Sequence, residues 1–298
     1  MYLQILKGNK CHNPAGSPDG TGGQFCSSGG SLYGDTGLYG GHYAITPRSK
    51  GGMWIAQEYL DVDTSTNYGR HVQQQVYRIE NEAKILGYPL DKIYLISGIT
   101  YFEVNGKRYR TGGLAYTTPD TPSVRGSIEI YLDTLLDDPE LSESGVIPTG
   151  ARRLVAHEII HHKFQAVLNS YEEQIEEVRS SVNPYFDFDD PQVQGFLKKN
   201  YPLIPAIRKA YVNKSSARFE KEDGITPYSR DWWGAYNSGT ATTLQAFHET
   251  LAEYGALRVS NWGAIPKRSV WTELFKVVDK YSKDKKVMDR YLGTWVAP

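Results

Sequence analysis

Two histidines and a glutamate form the pattern in this chain with the clearest chemical potential. His157 and His161 lie four residues apart in Ala-His-Glu-Ile-Ile-His-His, so on a helix their side chains share one face. Two neutral imidazoles placed in this way can occupy two corners of a zinc tetrahedron. Glu158 lies beside the pair, where its carboxylate can deprotonate a water molecule activated by the metal. The pattern indicates metal-assisted hydrolysis; the alternative is a helix whose histidines lie in a core or on a surface.

A catalytic zinc ion needs a third protein ligand and a position left open for water. The best source is the predicted helix 244–258, where Glu249 and Glu253 share one face. One carboxylate can bind zinc while the other accepts the free N–H of a ligand histidine. His248 points about a third of a turn away from Glu249, so it is the weaker ligand candidate. A glutamate-rich surface face is the plain alternative.

The histidine spacing needs a helix to hold it, and the surrounding sequence predicts one. Thr149 is a suitable N-cap, apolar residues recur at helical spacing over 154–178, and Asn183-Pro184 ends the run. His162 lies five residues after His157 and points away from the pair, so we expect it to be exposed or to support a ligand.

Helix and strand signals come before the motif. Residues 68–86 predict an amphipathic helix, and Asn105-Gly106 predicts a two-residue hairpin turn. We also predict strands on both sides of this turn, at 101–104 and 107–110, and at 92–97, 114–118 and 127–132. We expect the last strand before the motif helix to flank the cleft, with an edge to which an extended peptide could add.

The two helical motifs together resemble the zincin metallopeptidases of the gluzincin branch. More narrowly, His-Glu-Ile-Ile-His followed by Glu-Thr-Leu-Ala-Glu is similar to the anthrax lethal factor-like group, which includes phage-encoded zinc peptidases. The resemblance covers residues 68–260. It implies an α+β zincin-like domain with a small mixed sheet, a motif helix and a second ligand-bearing helix. It also implies Glu249 as the third metal ligand and Glu253 as its supporting residue.

The same resemblance implies a catalytic tyrosine upstream of the ligand glutamate, where it hydrogen-bonds the oxyanion of the tetrahedral intermediate. Tyr228, in Thr-Pro-Tyr-Ser, and Tyr236 are the two candidates, and the sequence context favours Tyr228. Both lie further from Glu249 in the sequence than the tyrosine of that family lies from its ligand glutamate. We therefore expect the segment containing Trp232 and Trp233 to be looped out.

Composition divides the chain into two parts. Glycine, serine and proline crowd residues 1–50, which we interpret as a flexible arm with free thiols at Cys11 and Cys26. The stretch from His12 to Phe25 resembles an Asn-Pro/Gly/Gly-x-Phe element that recurs in phage-encoded proteins, so a virion or phage structural partner is expected there. Residues 51–298 form the predicted catalytic domain, which ends in a lysine-rich helix at 268–291.

Charge and hydropathy exclude several partner classes. The 298 residues have a formal net charge of −1 without a basic stripe, so we expect no nucleic-acid partner. There is no apolar run long enough to cross a bilayer and no signal-peptide pattern, so we expect no membrane partner. The host cytoplasm or the virion is the expected location.

The sequence thus predicts a zinc metalloendopeptidase with one Zn²⁺ per chain and a peptide or protein substrate. Two rival interpretations stay open. One is a phage structural or adaptor protein whose zinc site is closed by a fourth ligand, with His248 or His162 as the candidates. The other is an inactive binding module that retains the scaffold to hold peptides.

Overall fold

Helices make up most of the described chain, and some of them pack against a small sheet. The computed structural model describes residues 45–47, 52–99, 101–115, 126–137, 151–181, 187–215, 224–259 and 270–292. The α-helices are α1 (Gln57–Leu60), α2 (Asn67–Ile85), α3 (Leu132–Asp137), α4 (Ala151–Ser181), α5 (Pro191–Asn200), α6 (Leu203–Ile207), α7 (Asn213–Ser215), α8 (Pro227–Asn237), α9 (Thr243–Val259), α10 (Val270–Tyr281) and α11 (Lys285–Leu292). A 3₁₀ turn at Leu90–Lys92 and a π-helical turn at Arg208–Val212 join their neighbours. The predicted mixture of helices and a small mixed sheet is confirmed at this level.

The main sheet has five strands in the order β1-β2-β3-β7-β6. Its strands are β1 (Ile45–Pro47), β2 (Trp54–Ala56), β3 (Ile93–Ile96), β6 (Gly113–Ala115) and β7 (Ile128–Tyr131), and the separate hairpin contains β4 (Tyr101–Val104) and β5 (Lys107–Arg110). Strands β2, β3 and β7 are parallel, whereas β1 and β6 are antiparallel to their neighbours. The sheet is therefore mixed, with antiparallel strands at both ends of its order.

Turn chemistry explains the hairpin, whose prediction is confirmed. Asn105 and Gly106 both have positive φ, 52° and 71°, as the type I′ turn of a two-residue hairpin requires.

The prediction that the last strand before α4 has a free edge is wrong. Strand β7 is paired on both sides, by β3 and β6, so within the described residues β6 is the strand at that end of the sheet.

The motif helix α4 is central because other elements pack around it on several sides. It contacts α2, α6, α9, α10 and α11 as well as β6 and β7. Its observed bounds confirm the helix predicted from apolar spacing, and α9 likewise matches the second predicted helix. The expected N-cap Thr149 lies outside the described residues.

Three sequence predictions need correction. Most of the predicted arm lies outside the described residues, but Ile45–Pro47 pairs with Trp54–Ala56 and so belongs to the sheet. The segment containing Trp232 and Trp233 is not looped out, since both indoles are buried in α8. The C-terminal lysine-rich stretch forms two helices rather than one, and the Asp284 carboxylate caps the start of α11 by accepting a hydrogen bond from the backbone N–H of Lys286.

No helix in the described ranges combines the length and the apolar character needed to cross a membrane.

Candidate metal centre and active site

The motif helix holds its three predicted site residues in buried positions. His157, Glu158 and His161 are 9%, 5% and 7% exposed. Because the two histidines lie one turn apart, their rings meet edge to face with centroids 4.8 Å apart. Their Nε2 atoms lie 3.1 Å from each other. The four-residue spacing therefore directs two nitrogen ligands to one place.

Helix α9 brings two carboxylates to the same place from the opposite side. Glu249 and Glu253 are buried one turn apart on the part of α9 that packs along α4. Glu249 Oε2 lies 3.3 Å from His157 Nε2 and 3.6 Å from His161 Nε2. The two motifs, far apart in sequence, thus meet across one helix pair.

The three donor atoms have the spacing that a zinc ion needs. They form a triangle with sides of 3.1, 3.3 and 3.6 Å. Ligand atoms bound tetrahedrally at about 2.1 Å from zinc lie about 3.4 Å apart. Among the described residues, His157, His161 and Glu249 are the group whose ligand atoms are close enough together to hold a metal ion. Two imidazoles and one carboxylate also form a donor set typical of catalytic zinc.

Glu253 supports His157 rather than joining the triangle. Its Oε1 lies 3.1 Å from His157 Nδ1, on the side of the ring away from Nε2. When Nε2 faces a metal, Nδ1 carries the hydrogen and donates it to this carboxylate. The Arg153 guanidinium pairs with Oε2 of Glu253. A buried chain of charges therefore fixes the orientation of one ligand ring.

His248 gives the second ligand ring a comparable support, which the sequence did not predict. Its Nδ1 lies 3.4 Å from His161 Nδ1, and the two rings stack with an interplanar angle of 21°. Phe164 packs against His248 with ring centroids 4.6 Å apart. One feature of the sequence could have indicated this contact. His248 is next to Glu249 on α9, and α9 packs closely along α4.

The charged groups of the site set one another's protonation. Burial alone would lower the pKa of His157, but hydrogen bonds to Glu249 and Glu253 raise it to about 10. Burial acts to raise the pKa of Glu253, yet His157 and Arg153 lower it to about 2. The pKa of Glu249 is also well below its usual range, against the effect of burial, because His161 and His157 contact it. The carboxylates are thus balanced by a proton on His157, and a metal cation could take that proton's place.

Glu158 follows His157 on α4, and its side chain contacts the sheet. Its carboxylate packs against β6 so closely that a Cβ on Gly113 would lie 2.8 Å from Oε1. Burial raises the pKa of Glu158, although the charges of His157 and His161 oppose the rise. A carboxyl group with a raised pKa is suited to taking up and returning a proton near neutral pH.

The structure brings one of the two candidate tyrosines to the site. The Tyr228 hydroxyl donates a 2.9 Å hydrogen bond to Glu249 Oε2, and its ring centroid lies 6.1 Å from that of His157. Burial, and to a lesser extent the negative charge of Glu249, raises the pKa of Tyr228 well above its usual value. The phenol therefore keeps the proton that it donates in the hydrogen bond. Tyr236 lies eight residues later on α8 and packs edge-on against Trp233.

His162 does not lie where the sequence placed it. The residue is fully buried, so the expectation of exposure is wrong. Its Nδ1 faces the Tyr88 hydroxyl, and its ring also contacts Tyr291. The five-residue spacing does turn His162 away from His157 and His161. Other elements of the fold cover that side of α4 as well.

Comparison with known proteins returns no relative. The chain matches no family model, and neither a curated protein nor a solved structure matches it. The resemblance to zincins therefore rests on the two helical motifs and on their convergence in space.

Proposed function

We propose that this chain is a zinc metalloendopeptidase of the gluzincin type. The observation that carries the proposal is the triangle of ligand atoms from His157, His161 and Glu249, with sides of 3.1, 3.3 and 3.6 Å. Three protein ligands leave a coordination position for water or substrate, as in catalytic zinc sites, whereas structural sites use four. Within the described residues, neither His162 nor His248 joins the metal-binding group.

The surrounding residues have the functions that peptide hydrolysis needs. When bound, the zinc ion supplies a Lewis acid that acidifies water and polarises the scissile carbonyl. Glu158 takes the proton of the attacking water and returns it to the leaving amine. Tyr228 donates a hydrogen bond to the developing oxyanion, an interaction worth about 2–4 kcal/mol in comparable sites. Glu253 and His248 keep the ligand imidazoles in the required tautomer and orientation.

The sheet suggests how a peptide substrate would be held. Strand β6 lies at one end of the sheet order and passes directly beside the Glu158 carboxylate. An extended peptide that adds to this strand by main-chain hydrogen bonds would place its backbone next to the catalytic base. A phage-encoded origin, with a virion or phage structural partner for the residues ahead of β1, is part of the same proposal and rests on the resemblance.

The Glu158→Gln variant tests the proposal most directly. We expect it to retain about one zinc per chain by atomic absorption while its rate of casein cleavage falls about 10²–10⁴-fold. Glu176→Gln is the matched control, because Glu176 lies on the same helix with its side chain 74% exposed. A chelator should abolish the parent activity and added zinc should restore it.

Two outcomes would overturn the proposal. Cleavage by Glu158→Gln at the parent rate would remove Glu158 as the base. A zinc-loaded parent that cleaves neither casein nor a random peptide library would instead favour a phage structural, adaptor or binding protein.

A further inference from the structure

Near the metal centre, one buried carboxylate has no part in the chemistry proposed above. Asp231 on α8 is 1% exposed. Lys107 Nζ lies 3.0 and 2.9 Å from its two oxygens, and the Tyr109 hydroxyl donates a hydrogen bond to it. Both partners belong to strand β5 of the hairpin. Since a buried carboxylate without partners would be strongly destabilising, these contacts fix the hairpin onto α8.

The same hairpin packs around Tyr228, which precedes Asp231 by three residues and so lies on the same face of α8. The Tyr109 ring meets the Tyr228 ring edge-on at 5.2 Å, and Phe102 meets it edge-on at 6.1 Å. The hydroxyl end of Tyr228 is held by Glu249, at 2.9 Å. Two hairpin side chains that are not metal ligands, Tyr109 and Phe102, thus pack against its ring, as does Trp232 of α8 at 6.4 Å.

We propose that Tyr109 is a positioning residue for Tyr228. Anchored through its hydroxyl to Asp231, the Tyr109 ring fixes the angle at which the Tyr228 phenol reaches the reacting carbonyl. The catalytic consequence rests on the proposed function, whereas the restraint on the Tyr228 ring does not. Without this restraint, the Tyr228 hydroxyl would still donate to Glu249 part of the time, but it would point at the oxyanion less often.

Tyr109→Leu removes the ring and its hydroxyl, and Tyr101→Leu is its matched control. Tyr101 lies on the other face of the same hairpin, is 38% exposed and stacks under Arg108. We expect Tyr109→Leu to lower kcat about ten- to a hundredfold, because small misplacements of a catalytic group have effects of this size. KM and zinc content should stay at the parent values, and Tyr101→Leu should change none of the three.

A double-mutant cycle separates positioning from a general loss of structure. If Tyr109 acts through Tyr228, Tyr109→Leu should lower kcat little further once Tyr228→Phe is present. Tyr109→Phe is a milder second variant, because it keeps the ring and leaves Lys107 paired with Asp231 but removes the hydroxyl anchor. It should lower kcat in the same direction. Fully additive effects of the two tyrosine substitutions would overturn the proposal.

A spectroscopic readout keeps the inference separate from the peptidase assay. 3-Fluorotyrosine placed at position 228 alone would report on that ring by fluorine NMR in the metal-free protein. We expect Tyr109→Leu to narrow the resonance, because a ring freed of this contact moves faster, and Tyr101→Leu to leave its width unchanged. If the resonance narrows in Tyr109→Leu although the parent cleaves no peptide, the proposed function is refuted and the positioning is retained. An unchanged linewidth in Tyr109→Leu would refute the positioning whatever the activity.

Discussion

The imidazole rings of His161 and His248 lie nearly parallel, with their Nδ1 atoms 3.4 Å apart. One Nδ1 in such a pair must carry the hydrogen and the other must accept it. For His161 to offer Nε2 to a metal, its own Nδ1 is the donor, so His248 is the acceptor with its hydrogen on Nε2. His248 can therefore accept the hydrogen that the metal-binding tautomer of His161 carries on Nδ1, as Glu253 can for His157.

This relationship predicts the effect of His248→Ala. Loss of the acceptor lets the His161 ring rotate and removes the preference for the metal-binding tautomer. We expect the dissociation constant for zinc to rise about 10–100-fold, as for comparable supporting residues. Competition with a chromophoric chelator measures it. His71→Ala, on α2 outside the site, should bind zinc like the parent, and equal affinities for all three proteins would refute this function of His248.

Zinc binding should release a proton from the site. The pKa of His157 is about 10 in the metal-free protein, so at pH 7 this imidazole carries a proton that a metal ligand cannot keep. We expect the apparent zinc affinity to rise about tenfold per pH unit between pH 6 and 8. Calorimetry in buffers with different ionisation enthalpies counts the protons directly. Zinc binding without proton release would contradict the predicted charge state of His157.

Glu253→Gln tests what keeps the proton on His157 in the metal-free protein. The amide oxygen can still accept the Nδ1 hydrogen of His157, but the negative charge that helps to raise the pKa of His157 is gone. The pH at which proton release ends should therefore move downwards in this variant. An unchanged pH dependence would mean that Glu249 alone holds the proton on His157.

The charge state of His157 also predicts how the stability of the metal-free protein depends on pH. A histidine whose pKa is raised from 6.5 to about 10 by folding contributes stability that is complete below pH 6.5. That contribution is lost as pH rises towards 10. We expect the Tm of the metal-free protein to fall over this range more steeply than the Tm of His157→Gln, measured by calorimetry with chelator present. Parallel curves for the two proteins would contradict the prediction.

Local signals explain which parts of the fold could be predicted from the sequence. The apolar spacing around His157 predicted α4, the four-residue spacing of Glu249 and Glu253 predicted the ligand face of α9, and Asn105-Gly106 predicted the hairpin. Each signal depends on neighbours within a few residues. Backbone geometry makes such local patterns interpretable without knowledge of the tertiary structure.

The remaining features depend on contacts between residues far apart in the chain. Strand Trp54–Ala56 has only three residues, too few to show an alternating pattern, and pairs in parallel with β3 across α2. The support of His161 by His248 and the contact of Tyr109 with Tyr228 arise from packing between separate elements. Helical spacing placed His162 off the ligand face, but only the complete fold determines that this side of α4 is buried.

Gly113 gives the most selective test of the base. Its position in β6 leaves no room for a side chain, since a Cβ would lie 2.8 Å from Glu158 Oε1 and 3.0 Å from the carboxylate carbon. In Gly113→Ala the neighbour that must move is the Glu158 carboxylate, and the three metal ligands keep their places. We therefore expect zinc affinity to be retained while kcat falls about ten- to a hundredfold.

Gly195→Ala is the control for this substitution. Gly195 lies in the exposed helix α5, and a Cβ there meets no atom within 4 Å. The change should leave cleavage at the parent rate and raise the free energy of unfolding by about 0.5–1 kcal/mol, because alanine favours a helix interior over glycine. If Gly113→Ala instead loses zinc and activity together, its Cβ disturbs the ligand triangle. The Glu158 carboxylate would then be part of the metal site's framework rather than an independently placed base.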